Sequence, residues 1–455
     1  MKQFLKFATF AFVLTQVHVK CDTTDIVMSV LSSLLTQSRQ PEKTSTTTAP
    51  GILPKVLNPL NWIPKFPDVP WNPDSELTTP EIITRHGYQA ETHTVQTEDG
   101  YLLNLHRIPC GRTGCDGSIR QPVFLQHGIL ASSADWIISG PEKGIGFILA
   151  DLGYDVWLSN LRGNTYSRHH ISLSNNDREF WDFSFHEMAI YDLPASIQFI
   201  YDHRKRTMGE SVSENDLIYV GHSMGTTALF VMLSEMPEYN EKIKLFIALA
   251  PVAFMTHVKS PIRFLAPFSK DIEKIMKFFG QNEFLPQNKI IKWLSKYGCE
   301  MNEVEKYICE NTLFVICGFD KDQYNSTLAT VIFAHSPAGT STKTVVHYAQ
   351  EIQESGNFQN FDYGTEENMR RYGTEKPPHY NLSNVEVPVV LFYAQNDWLA
   401  GYQDVKKLYM SLPTQSAIDF YKIPFDNFNH VDFIWGIDAP QLVYDKMLDL
   451  MRNYK

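Results

Sequence analysis

The pentapeptide Gly221-His222-Ser223-Met224-Gly225 constrains this chain more than any other segment, because of what flanks it. The run Leu217-Ile218-Tyr219-Val220 before it has the apolar, β-branched character of a strand, and Thr226 to Leu233 after it reads as a helix. Glycines two positions either side of the serine let the backbone turn sharply from strand to helix, which lifts the hydroxyl clear of the sheet. A tight turn without chemistry is the plain alternative, since the five-residue spacing also arises by chance. The flanking strand and helix carry the inference, and it stays a hypothesis until a base and an acid are found.

A serine hydroxyl is a weak nucleophile at neutral pH, so a histidine must take its proton and a carboxylate must orient that histidine. On a strand-turn-helix scaffold of this kind the chain order is Ser, then Asp or Glu, then His. Downstream, Val387-Pro388-Val389-Val390-Leu391-Phe392-Tyr393-Ala394 reads as a buried strand ending in Gln395-Asn396-Asp397. Asp397 therefore falls just past the carboxyl end of a strand, where open α/β sheets bind their ligands. An Asx turn is the alternative for Asp397, and Asp404 competes poorly because it falls inside the helix expected from Gln403 to Leu412. The strand-like run Ala417 to Ile423 leads into a loop holding His430, and a closing helix is expected from Pro440 to Asn453. Of the chain's 15 histidines, His430 alone lies between the final strand and the final helix.

The tetrahedral oxyanion of acyl transfer needs two backbone donors, one after the nucleophile and one from an early strand-to-helix loop. Met224 supplies the first. The strand-like run Val123-Phe124-Leu125 breaks into Gln126-His127-Gly128-Ile129-Leu130, which makes the Ile129 amide the second. His127 could be read as a base, but it precedes the serine by nearly a hundred residues, in a loop that must be shaped, and is taken as structural.

From about Glu76 to the C-terminus the chain resembles the acid lipases, a family that includes gastric and lysosomal acid lipases and many insect relatives. The matching segments include Leu77-Thr78-Thr79-Pro80-Glu81, Leu125-Gln126-His127-Gly128, Asp155-Val156-Trp157-Leu158-Ser159-Asn160, Arg162-Gly163-Asn164-Thr165, Phe180-Trp181-Asp182-Phe183-Ser184 and Asn429-His430-Val431-Asp432-Phe433. The resemblance implies an α/β-hydrolase fold: a mostly parallel central sheet, helices on both faces, and a mainly helical cap inserted before the acid-bearing strand. It carries the family's nucleophile, acid and base onto Ser223, Asp397 and His430, and its oxyanion amides onto Ile129 and Met224. It also implies a cap disulfide between Cys299 and Cys309, with Cys317 a free buried thiol. Two departures are Met224, where vertebrate members often have Gln, and Gln89, where the family usually has proline.

The expected organisation is a signal peptide over 1–20, an N-terminal segment with a Ser/Thr/Pro-rich linker over 21–75, hydrolase core over 76–255 and 386–455, and the cap over 256–385. Lys2 and Lys6 precede the apolar stretch Phe7 to Leu14 with no clear cleavage site, and an uncleaved anchor is the alternative. The linker's core is Ser38 to Pro50, and Ile26, Val27, Val30 and Leu34 before it have the spacing of a short amphipathic helix. About 130 residues separate the strand Leu245–Leu249 from Val387, far beyond an ordinary connection, so a structured unit is expected there. In it, Ile272, Ile275, Met276 and Phe279, then Ile290, Ile291, Trp293 and Leu294, recur at helical spacing. Such a stripe packs a core or faces lipid when a lid opens. Sequons at Asn325 and Asn381 point to glycosylation and secretion. Cys110 and Cys115 flank a loop short enough for a bridge, which is left open, and Cys21 is left over. A net charge of -11 without a basic run gives no reason to expect nucleic-acid binding. The expected activity is hydrolysis of neutral-lipid esters, triacylglycerol or cholesteryl ester, by a secreted or lysosomal enzyme at a lipid–water interface. No metal or organic cofactor is called for. The alternatives are a small-ester or hormone esterase on the same scaffold and a catalytically inactive lipid-binding protein.

Overall fold

The computed structural model describes residues 72–209, 212–264, 266–268, 283–285, 316–354 and 356–454. The expected signal peptide, the helix at Ile26–Leu34, the Ser/Thr/Pro-rich linker, Cys21, Cys299, Cys309 and the apolar cap stripe from Ile272 to Leu294 lie outside the described residues.

Among the described residues, eleven strands run in chain order as β1 (Glu91–Gln96), β2 (Tyr101–Ile108), β3 (Pro122–Gln126), β4 (Asp155–Leu158), β5 (His169–His170), β6 (Leu217–His222), β7 (Ile243–Leu249), β8 (Glu283–Phe284), β9 (Thr340–Ser341), β10 (Val389–Tyr393) and β11 (Ala417–Lys422). Nine of them form one sheet in the order β1-β2-β4-β3-β6-β7-β10-β11, with β5 paired to β2. From β4 to β11 every neighbouring pair is parallel, while β1, β2 and β5 add an antiparallel edge. Burial follows from that order. Strands β3, β4, β6 and β10 are buried at every residue, because helices cover both faces of a parallel sheet, whereas β1 and β11 keep the partly exposed alternation of edges.

The chain leaves β3 toward β4 on one side and later returns to lay β6 on the other. That reversal opens a crevice at the carboxyl ends of β3 and β6, the place where such sheets bind ligands. The loop after β3 and the turn after β6 both enter it, and the segments after β10 and β11 come from the same end. Helix Met224–Glu235 follows β6 with Met224 to Ser234 all buried, so its start is fixed by packing.

Between β7 and β10 the described residues carry helices Ala329–His335, Thr342–Gln353 and Thr365–Tyr372. The two-residue strands β8 and β9 pair there. This insertion is tied down over the crevice: Ala338 N donates to Leu130 O at 2.6 Å and Thr165 N to Ala338 O at 2.9 Å. Arg168 forms a bidentate ion pair with Glu283 of β8. No helix of the described residues is long and apolar enough to cross a membrane.

Candidate active site

Ser223 directly follows β6 with φ 53° and ψ −120°, a conformation that L-residues avoid and that persists only where the surroundings impose it. The neighbouring glycines explain how the chain tolerates it. A Cβ on Gly221 would come 2.9 Å from the Gly225 carbonyl carbon, and one on Gly225 would come 2.3 Å from Gln126 O. Neither contact is physically possible, so both positions require glycine and the turn packs directly on the end of β3. Ser223 N donates to Leu249 O at 3.1 Å, and Thr226 Oγ1 donates back to Ser223 O at 2.6 Å.

Three side chains from three loops form one hydrogen-bonded chain. His430 Nε2 lies 2.8 Å from Ser223 Oγ, and His430 Nδ1 lies 2.8 Å from Asp397 Oδ2. The tautomer with hydrogen on Nδ1 satisfies both contacts, donating to the carboxylate and accepting from the hydroxyl. Asp397 Oδ1 is held by the amides of Leu399 and Ala400, at 2.8 and 2.7 Å, so the carboxylate cannot rotate away. All three residues are buried. The arrangement can deprotonate a serine on attack and return the proton to a leaving group.

Gly128 presses against the serine, as a Cβ there would sit 3.1 Å from Ser223 Cβ. The next amide, Ile129, has no backbone acceptor among the described residues, and Met224, as the first residue of its helix, has no intrahelical acceptor for its own. Two free donors thus flank the serine. His127 braces this loop. It donates from Nδ1 to Gly128 O at 2.8 Å and accepts at Nε2 from Leu161 N, 3.1 Å away. Burial lowers its pKa to about 4, so it remains neutral and both nitrogens are committed to the loop.

Other sequence candidates fall elsewhere. Asp404 lies in the first turn of helix Tyr402–Ser411, where it accepts from His257 N at 2.6 Å and contacts His257 Nδ1 at 2.8 Å. Asn325 and Asn381 both occupy surface turns, with Oδ1 bonded to the hydroxyl of Thr327 and Ser383 respectively. Cys110 and Cys115 are bridged, which answers the question left open by their spacing. Cys317 is a free buried thiol whose pKa is raised by burial and by the charges of Asp397 and Asp432. Glu91, His93 and His203 bring three metal-capable atoms within 4.8 Å of one another. The Arg107 guanidinium already reaches two of them, at 3.0 Å from Glu91 Oε2 and 3.1 Å from His203 Nε2.

Sequence reasoning passed over the residues that hold the base. His222 Nε2 donates to His430 O at 2.9 Å, and burial keeps the imidazole neutral by lowering its pKa to about 3. Asn429 Nδ2 donates to Gly318 O at 3.1 Å, and His430 N approaches Cys317 O at 3.4 Å. His222 stood in the pentapeptide itself, but its partner is set by tertiary folding alone.

A family model described as the alpha/beta hydrolase fold matches residues 121–436, and one described as a partial alpha/beta-hydrolase lipase region matches residues 79–140. The chain is 42% identical over 384 residues to the gastric triacylglycerol lipase of Rattus norvegicus, covering 84% of this chain and 93% of that protein. It is 41% identical over 386 residues to the lysosomal acid lipase/cholesteryl ester hydrolase of Homo sapiens, with the same coverage. Lipase lipl-1 of Caenorhabditis elegans is 40% identical over 386 residues, again across 84% and 93% of the two chains.

Proposed function

This chain belongs to the acid-lipase family of the α/β-hydrolase fold, and from that premise we propose how it hydrolyses the carboxylic esters of lipids. Its substrates are triacylglycerol, cholesteryl ester or both, met at a lipid–water interface, and the enzyme is secreted or lysosomal. The observation that carries the reading is the Asp397–His430–Ser223 chain, closed by two 2.8 Å contacts on a serine held at φ 53°.

Ser223 Oγ attacks the ester carbonyl while His430 Nε2 takes its proton. The oxyanion that forms accepts from the amides of Ile129 and Met224, which are worth most there because their dipoles are already oriented. Asp397 stabilises the imidazolium. His430 then protonates the departing alcohol, leaving an acyl group on Ser223, and in the second half it activates water to release the acid.

Ser223→Ala should lower turnover by roughly 10⁴ to 10⁶ without disturbing the fold, because members of such a chain act as a unit. A serine-directed phosphonate should label Ser223 in the parent and nothing in the variant. Substantial activity in a folded variant would remove the assignment. A panel of emulsified and dissolved esters decides the substrate class. If a dissolved short-chain ester is turned over best, with no response to an interface, the enzyme is a small-ester esterase.

A further inference from the structure

His430 sits on a loop whose outer support is a pair of acids. Asp432, two residues on, accepts from Asn429 N through Oδ2 at 2.6 Å. Asp320, on the cap segment that passes over the loop, accepts from the amides of Asp322 and Gln323 through Oδ1, at 2.9 and 3.2 Å. Its other oxygen, Oδ2, is buried without a hydrogen-bond donor, and the Asp320 and Asp432 carboxyls lie within hydrogen-bonding reach of each other. Both residues are buried, Asp320 at 2% exposure and Asp432 at 4%.

Two carboxylates cannot hydrogen-bond, because neither has a donor. A buried, unsatisfied carboxylate oxygen beside a second buried carboxylate is among the costliest arrangements a fold can hold, and one proton between them removes both penalties. The charges that face the pair make that proton hard to lose. Asp322 lies on Asp320's own turn, and Asp397 faces Asp432 from the loop after β10. Cys317 is a neutral thiol, and Asp438, from the far end of the loop, is engaged by Gln323 Nε2 at 2.9 Å. His430 itself is turned to Asp397. Burial, then the neighbouring negative charge, raises both acids, Asp432 well above the usual carboxylate range.

We propose that Asp320 and Asp432 share one proton, and that this clasp is a proton-dependent positioning device for the catalytic histidine. It acts alongside the Asn429 to Gly318 and His430 to Cys317 contacts, which join the same two segments. With the proton in place, the cap segment and the base loop are locked together and His430 is aligned. When the pH rises far enough to remove it, two buried negative charges repel, the segments part, and the base loses register with Ser223. A fall of turnover on the alkaline side is then built into the loop that holds His430. The inference rests on the lipase reading above.

The test is Asp320→Asn. Its Oδ1 can still accept from Asp322 and Gln323, while Nδ2 supplies the hydrogen that the clasp otherwise takes from solvent. The pH profile of kcat should then keep its acid limb and lose or displace its alkaline fall by about one pH unit or more, with KM little changed. Asp432→Asn offers the same repair from the other side, keeping Oδ1 for Asn429 N. Hydrogen exchange of residues 427–434, corrected for its intrinsic pH dependence, reads the clasp without turnover. Protection should fall with rising pH in the parent and persist in the amide variants. An alkaline limb that superimposes on the parent's, or exchange that does not distinguish parent from variant, would overturn the proposal. So would failure of both amide variants to fold, since each supplies the bond that the clasp needs. A parent that neither turns over ester nor labels at Ser223 would instead sink the lipase reading, leaving the exchange result to decide the clasp.

Discussion

Asp397 fixes the His430 tautomer through one oxygen and is itself fixed through the other, so its chemistry and its position can be separated. Asp397→Asn keeps an acceptor for the Leu399 and Ala400 amides but presents an N–H to His430 Nδ1, favouring the wrong tautomer. Turnover should fall by about 10⁴, the loss seen for the corresponding change in serine proteases, with little change in unfolding midpoint. Asp404→Asn should do the reverse, because its carboxylate serves the buried start of a helix and His257. Steady-state kinetics and thermal unfolding on the two variants check both halves. These two aspartates could be told apart in the sequence because one follows a strand and the other lies at helical spacing. Asp320 could not be found that way. Its meaning depends on Asp432, far along the chain, and no local pattern announces a contact made by tertiary folding. His222 was passed over for a similar reason, since its neighbours in sequence suffice to explain a turn.

The turn after β6 is the element on which the site depends, and it tolerates almost no added volume. Gly225→Ala would drive a methyl group to 2.3 Å from Gln126 O and 2.9 Å from His127 O, against backbone that cannot rotate aside. The end of β3 must give way, carrying the Ile129 amide with it. Overpacking of this kind costs about 1 to 3 kcal/mol, so denaturant unfolding should report a less stable protein, and kcat should fall more than KM rises. Most elements near the site were legible because their apolar runs are continuous. The observed β6, β10 and β11 differ from the expected strands by about two residues at their ends, within the usual fraying of such boundaries. The closing helix is less regular than its periodicity suggested, opening as a π-helical turn at Pro440–Tyr444 before the α-helix Asp445–Arg452. The antiparallel edge of β1, β2 and β5 went unread: β1 and β5 are polar and partly exposed, and β2, though buried at Leu103, Leu105 and Ile108, interleaves those residues with polar ones. In the cap, peptide mapping without reduction should link Cys299 to Cys309 and leave Cys317 unmodified, with Cys110 joined to Cys115. Loss of a native bridge costs about 2 to 5 kcal/mol, so Cys299→Ser should lower secreted yield.

At the scale of the whole molecule, two sets of buried ionisable groups oppose each other. Burial raises Asp135 to about 7 and, against the pull of Arg162, Asp192 to about 6, while Glu351 and Asp432 are raised well above their ordinary range. A carboxyl raised in the folded state binds more protons there than when unfolded, so its contribution is full at acid pH and drains away as pH rises through the folded value. Burial also lowers His106 and His127 to about 4, and His222 and His347 to about 3. Those histidines act in the opposite sense, since below about 6.5 the unfolded chain takes up protons that the folded one refuses. Between about pH 4.5 and 6.5 the two sets offset one another, and stability should be nearly level. Below that range stability should fall, because Glu187, where burial opposes ionisation but Lys343 outweighs it, is held at about 2. Above about 6.5 the histidines are neutral in both states and no longer compensate, while the high carboxyls still hold their protons. Stability should therefore decline into the alkaline range. Asp135→Asn isolates one part of that decline: its amide oxygen can still accept from Ser336 Oγ, 3.1 Å away, but it cannot ionise. A rise from 3.8 to about 7 corresponds to at most about 4 kcal/mol, at 1.36 kcal/mol per unit. Melting curves at closely spaced pH should show the parent losing more stability than the variant as pH rises from 4 to 8. Parallel curves would mean that Asp135 is already ionised in the folded enzyme.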